Sequence, residues 1–117
     1  MAQKAAILYL SQGLDDLAVS AYGGKHIVKQ IYDDPAAVNS YAWFWAELGK
    51  NTASAVIAAR RSIELRDDAN TWDTLSMVYW RSGDLENALK AEETAFKMSP
   101  SDAFTKQIAG IKADMAK

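Results

Sequence analysis

One acidic pair, Asp33-Asp34, returns thirty-four residues later as Asp67-Asp68, and this recurrence constrains the fold more than any other feature of the chain. After the second pair, Trp72, Leu75, Val78 and Tyr79 recur at three- and four-residue spacing, which places them on one helix face. Arg81-Ser82-Gly83-Asp84 interrupts that pattern. Gly83 can take the left-handed conformation that closes a helix, and Asp84 can cap the next one with its carboxylate. Leu85, Ala88, Leu89, Ala91, Ala95, Phe96 and Met98 then carry a second apolar face, with small Ala88 and Ala95 where two helices must approach closely. Pro100 disfavours helical geometry in the residue before it, so the second helix stops near Ser99. Residues 69–102 therefore read as two antiparallel helices joined by a tight turn.

The preceding thirty-four residues repeat the plan. Asp34 can cap a helix whose first residue is Pro35, where the missing N–H costs nothing. In register, Val38 stands for Trp72, Asn39 for Asp73, Tyr41 for Leu75, Ala42 for Ser76 and Trp45 for Tyr79. The turn Gly49-Lys50-Asn51 is one residue longer than its counterpart. Beyond it, Ala55, Ile57, Ala58, Ala59 and Ile63 are expected to face inward.

Within residues 69–102, Trp72, Leu75, Tyr79, Gly83, Ala88, Ala95 and Pro100 fall where a tetratricopeptide repeat asks for Trp, Leu, Tyr, Gly, Ala, Ala and Pro. The segment thus resembles that family, and residues 35–68 resemble a weaker copy. Two positions depart from the pattern: Ser76 replaces a glycine, and Glu92 replaces an aromatic, which should weaken packing there. The resemblance implies a single all-α domain over residues 1–117. Its antiparallel helix-turn-helix repeats would wind into a right-handed superhelix, with a capping helix at 103–117.

Residues 1–34 fit the plan less well. Ala5, Ala6, Ile7, Leu8, Tyr9 and Leu10 favour a helix that Gly13 ends; Leu14 to Tyr22 supports a second, and Gly23-Gly24 breaks it. Lys25 to Tyr32 resumes, with Ile27, Val28 and Ile31 on one face. This third of the chain reads as a degenerate repeat or an N-terminal cap, since arrays need atypical ends. At the other end, Phe104, Ile108, Ile111 and Met115 make one apolar stripe. Gly110 lies inside it and costs roughly 1 kcal/mol against alanine.

Composition narrows the chemistry. The chain has no cysteine, which excludes disulfides, thiolate nucleophiles and Cys-based zinc sites. The formal charge is −2 with lysine and arginine scattered, so no basic face points to nucleic acid or an anionic membrane. No apolar stretch approaches the ~20 residues of a membrane span, and Met1-Ala2-Gln3-Lys4 opens no signal-peptide pattern, which leans toward the cytoplasm. His26 is the only histidine and reads as an ordinary helical residue. Asp15-Asp16, Asp33-Asp34 and Asp67-Asp68 lack the alternating ligands and central glycine of a calcium loop and read as helix caps. Gly23-Gly24 belongs to no phosphate-binding motif, and no serine or threonine has a histidine partner with a glycine elbow. The chain is expected to be no enzyme and to need no cofactor or metal.

The resemblance also implies a site. In the family, the second, fifth, ninth, twelfth and thirteenth positions of each first helix line a concave groove. Here those positions are Asn70, Asp73, Met77, Trp80 and Arg81 in one repeat, and Ala36, Asn39, Trp43, Ala46 and Glu47 in the other. Trp43 and Trp80 would face the groove while Trp45 and Trp72 belong to the core; alternatively, a neighbouring helix covers the first two. Family members that clamp a carboxylate use lysine, asparagine and arginine, whereas Asp73 and Met77 occupy two such places. A groove of Trp43, Met77 and Trp80 suits an apolar or aromatic peptide, with Arg81 for one acid, because such side chains bury area at modest entropy cost. The expected function is non-catalytic binding of a protein or peptide partner. The alternative is a structural segment, accessory to a larger protein or packed on a second copy as a homo-oligomer.

Overall fold

A computed structural model describes residues 2–117 as eight α-helices: α1 Ala2–Ser11, α2 Asp15–Tyr22, α3 Lys25–Ile31, α4 Pro35–Leu48, α5 Thr52–Leu65, α6 Ala69–Ser82, α7 Leu85–Met98 and α8 Asp102–Met115. No strand occurs among the described residues. The fold is all-α and built from helical hairpins.

Local chemistry sets the boundaries of the two central hairpins. Asp34 accepts from the Ala37 N–H at 3.1 Å to start α4, with Pro35 in its first turn. Asp68 accepts from the Thr71 N–H at 3.0 Å, and Thr71 Oγ1 in return accepts from the Asp68 N–H at 3.2 Å, a reciprocal pair that fixes the start of α6. Gly49 and Gly83 end these helices at φ of +65° and +88°, where a Cβ would be strained. The longer first turn needs one more left-handed residue, and Asn51 supplies it at φ 53°. Asp84 and Ser101 cap α7 and α8 through the N–H groups of Asn87 and Phe104. Asp15 and Asp16 do not cap: they lie inside the first turn of α2, and Asp15 pairs with Lys50 at 2.7 Å. A carboxylate there still interacts favourably with the helix dipole.

Each central hairpin packs large residues against small ones. Val38, Tyr41, Ala42 and Trp45 of α4 are sealed from solvent, as are Ala55, Ala58, Ala59 and Ser62 of α5. The α5 residues recur at i, i+3, i+4 and i+7, a single stripe, and Ile57 falls outside it. Contrary to the inward placement expected from its apolarity, Ile57 is 54% exposed. On α7, Ala88, Ala91 and Ala95 supply the small face. Ser76 replaces the family's glycine usefully, donating its hydroxyl to the Ala88 carbonyl at 2.8 Å and tying α6 to α7. Trp72 is less buried than expected, and its indole N–H reaches out to Asp67 at 2.7 Å.

The glycine pair divides what would be one long helix into α2 and α3, and the break does structural work. The Gly23 carbonyl accepts from Tyr41 Oη at 2.8 Å and from Asn51 Nδ2 at 3.0 Å. A Cβ on Gly23 would lie 2.6 Å from that Asn51 nitrogen, so only glycine lets the amide approach. Tyr22 lies against Tyr41 and Phe44, with ring centroids 5.2 Å apart in each case, and its carbonyl accepts from Trp45 Nε1 at 3.3 Å. An aromatic cluster and one buried carbonyl, freed from the helical ladder by the break, thus fix the N-terminal hairpin to α4 and α5.

Candidate functional site

The helices α1, α4, α6 and α8 border two clefts. In the first, about 280 Å³, Asn39, Trp43 and Glu47 of α4 face Gln3 of α1. Trp43 is half-buried there, and Asn39 Oδ1 is shut off from solvent without a hydrogen-bond partner. In the second, about 500 Å³, Met77, Trp80 and Arg81 of α6 face Gln107 and Asp114 of α8. Of the residues expected to form one groove, the fold brings Met77, Trp80 and Arg81 together in one cleft and Asn39 and Trp43 in the other. Asn70 is exposed and lines neither.

Trp80 is held by α8 on two sides. Its Nε1–H donates to Asp114 Oδ2 at 2.7 Å, and its six-membered ring lies over Gly110. The Trp80 N–H, and then Lys117, hold the Asp114 carboxyl below its ordinary range by hydrogen bonds that favour the charged form. The C-terminal helix therefore covers part of this tryptophan and leaves the rest on the cleft wall. Arg81 is exposed at the cleft and makes no ion pair among the described residues.

Asp73 is committed inward. Its Oδ1 accepts from Gln107 Nε2 at 3.0 Å, and it neighbours Glu92 of α7. Glu92 does not merely loosen packing at an aromatic position: it is 0% exposed, and no donor reaches either carboxyl oxygen. Burial first, then the hydrogen bond and negative charge of Asp73, push its pKa up to about 9. The protonated form alone has a partner, because an O–H can donate to Asp73 while a carboxylate there would face another carboxylate. A neutral glutamic acid, an aspartate and a glutamine thereby link α7, α6 and α8 behind the second cleft.

Gln107, Asp114 and Gln3 escaped the sequence reading because α8 and α1 counted only as ends. A signal for two of them existed. Gln107 and Asp114 each lie 34 residues beyond the side chain they bond, Asp73 and Trp80. Extending the repeat register by one unit selects both.

No protein-family model matches this chain, and a search of curated proteins found no significant match. No helix among the described residues is long and apolar enough to cross a membrane.

Proposed function

We propose that this chain is a tetratricopeptide-like, non-catalytic binding module whose α4, α6 and α8 face holds a partner polypeptide. One observation carries the reading: Met77, half of Trp80 and an unpaired Arg81 line a single open cleft. A polarizable side chain, an aromatic wall and a free guanidinium suit an apolar or aromatic residue beside one carboxylate. The hydrogen bond from Trp80 to Asp114 fixes the wall before any partner arrives, which lowers the ordering cost of binding. Asn39 and Trp43 extend the same face in the neighbouring cleft. The right-handed winding of the repeats and the family membership are part of this proposal, and rest on the 34-residue register.

Photo-crosslinking from a reactive amino acid at position 77, in a lysate of the source cell, tests the reading. One foreign polypeptide, captured repeatedly and lost in an Arg81→Glu variant, supports it. Crosslinks that occur only within the chain's own copies, or none, count against it.

A second reading, a unit that packs on a second copy or on another domain, has its own support. Ile7 and Leu8 of α1, and Leu14 and Leu17 at the start of α2, the helix packed on α1, are each more than 40% exposed, apolar surface of the kind that an interface covers.

A further inference from the structure

Helices α3 and α5 enclose a groove of about 580 Å³ on a different pair of elements from the two clefts. Val28, Ala53 and Ile57 form its apolar part, and Lys25 and Lys29 stand on its rim. The charge here is lopsided for a chain whose total is −2. Between them α3 and α5 carry Lys25, Lys29, Arg60 and Arg61 against a single acid, Glu64. Arg60 and Arg61 are occupied. Arg60 donates to Tyr79 Oη at 2.7 Å; Arg61 stacks on Tyr32 and pairs with Asp33 at 2.6 Å, neutralising the one acid that lines the groove. Lys25 and Lys29 make no ion pair among the described residues, and they sit one helical turn apart.

The complement to this groove lies on the same chain. Leu14 and Leu17 are 41% and 47% exposed and flank Asp15 and Asp16, so the start of α2 presents two apolar side chains with two acids between them. Asp16 makes no ion pair among the described residues, and Asp15 has only the exposed contact with Lys50, the kind of pair that contributes little. We propose that the Leu14–Leu17 edge of one copy docks into the α3–α5 groove of a second, with Leu14 and Leu17 against Ile57 and Val28, and Asp15 and Asp16 against Lys25 and Lys29. Since one chain carries both surfaces, two copies can make the contact reciprocally about a two-fold axis. The inference rests on the second reading above and names its surfaces. Leu14 to Leu17 cannot serve their own groove, because α2 already packs on α1 and is bonded through Gly23 to Tyr41.

Charge exchange tests the contact. Two variants, Lys25→Glu/Lys29→Glu and Asp15→Lys/Asp16→Lys, would be made on the full chain, with circular dichroism to verify folding. Sedimentation equilibrium would then give the mass of each alone and of their mixture. The native chain is expected to dimerise. Each variant should dissociate by about tenfold in Kd, since like charges replace opposite ones. Their mixture should recover, because each groove then faces a hairpin of opposite charge. A native chain that is monomeric at high micromolar concentration overturns both this contact and the oligomer reading. A dimer indifferent to both variants, or a mixture that fails to recover, overturns the contact and leaves self-association to another surface.

Discussion

Trp80 and Gly110 share a space that one side chain fills: a Cβ on Gly110 would stand 2.7 Å from Cη2 of the indole. The indole cannot easily swing away, because its N–H is bonded to Asp114 on the same helix. A glycine that weakens α8 by propensity is thus what lets α8 lie against α6.

Replacement of Gly110 by alanine is expected to destabilise the fold by about 1–2 kcal/mol. The overpacking cost outweighs the gain of roughly 1 kcal/mol in helix propensity. In a Trp80→Leu background the same substitution should turn neutral or stabilising, since the ring is gone. Urea denaturation of the four chains measures the coupling. Additive effects would place Trp80 away from Gly110.

Glu92 gives stability a specific pH dependence. Its folded pKa of about 9 lies above the ordinary carboxyl value, so the folded chain binds more protons than the unfolded chain between those limits. Its contribution is fully present below pH ~4.5 and is lost as pH rises toward about 9, at up to about 1.4 kcal/mol per pH unit. Glu92→Gln keeps a donor for Asp73 and cannot ionise. The difference in unfolding free energy between variant and native chain should grow in the variant's favour from pH 5 to pH 9. A constant difference would mean that Glu92 ionises normally.

Tyr41→Phe removes the hydroxyl that donates to the Gly23 carbonyl. The expected cost is about 1 kcal/mol, limited because Asn51 still reaches that oxygen. Amide hydrogen exchange should quicken selectively in α1 and α2, whose attachment to α4 runs through this peptide unit and Tyr22.

The tryptophans should rank by burial rather than by family position. Trp45 is 0% exposed and its removal to alanine should cost about 3–5 kcal/mol. Trp72 keeps one edge in solvent and bonds outward to Asp67, so Trp72→Ala should cost about half as much. Thermal melts of both variants decide the order.

The central hairpins were legible because their determinants are local. A cap such as Asp34 or Asp68 acts on an N–H three residues away, and Gly49 and Gly83 are required by one torsion angle each. Periodicity likewise found the small face of α5, yet it assigned Ile57 inward because apolarity alone does not say where a stripe is centred. The residues of the two clefts were half legible. Register put Met77, Trp80 and Arg81 on one face and they do line one cleft, but it could not say that α8 would take up Trp80 and Asp73.

What the sequence determined by itself was the number and spacing of the central helices and the pairing of large faces with small ones, since these follow from contacts within a few residues. Only the tertiary structure decided that the Gly23 peptide would anchor the N-terminal hairpin, that Gly110 would admit an indole, and that Glu92 would lie sealed beside Asp73. Each of these depends on atoms brought together from distant parts of the chain. For a polar or missing side chain it is the neighbour, more than the residue's own preference, that sets the cost.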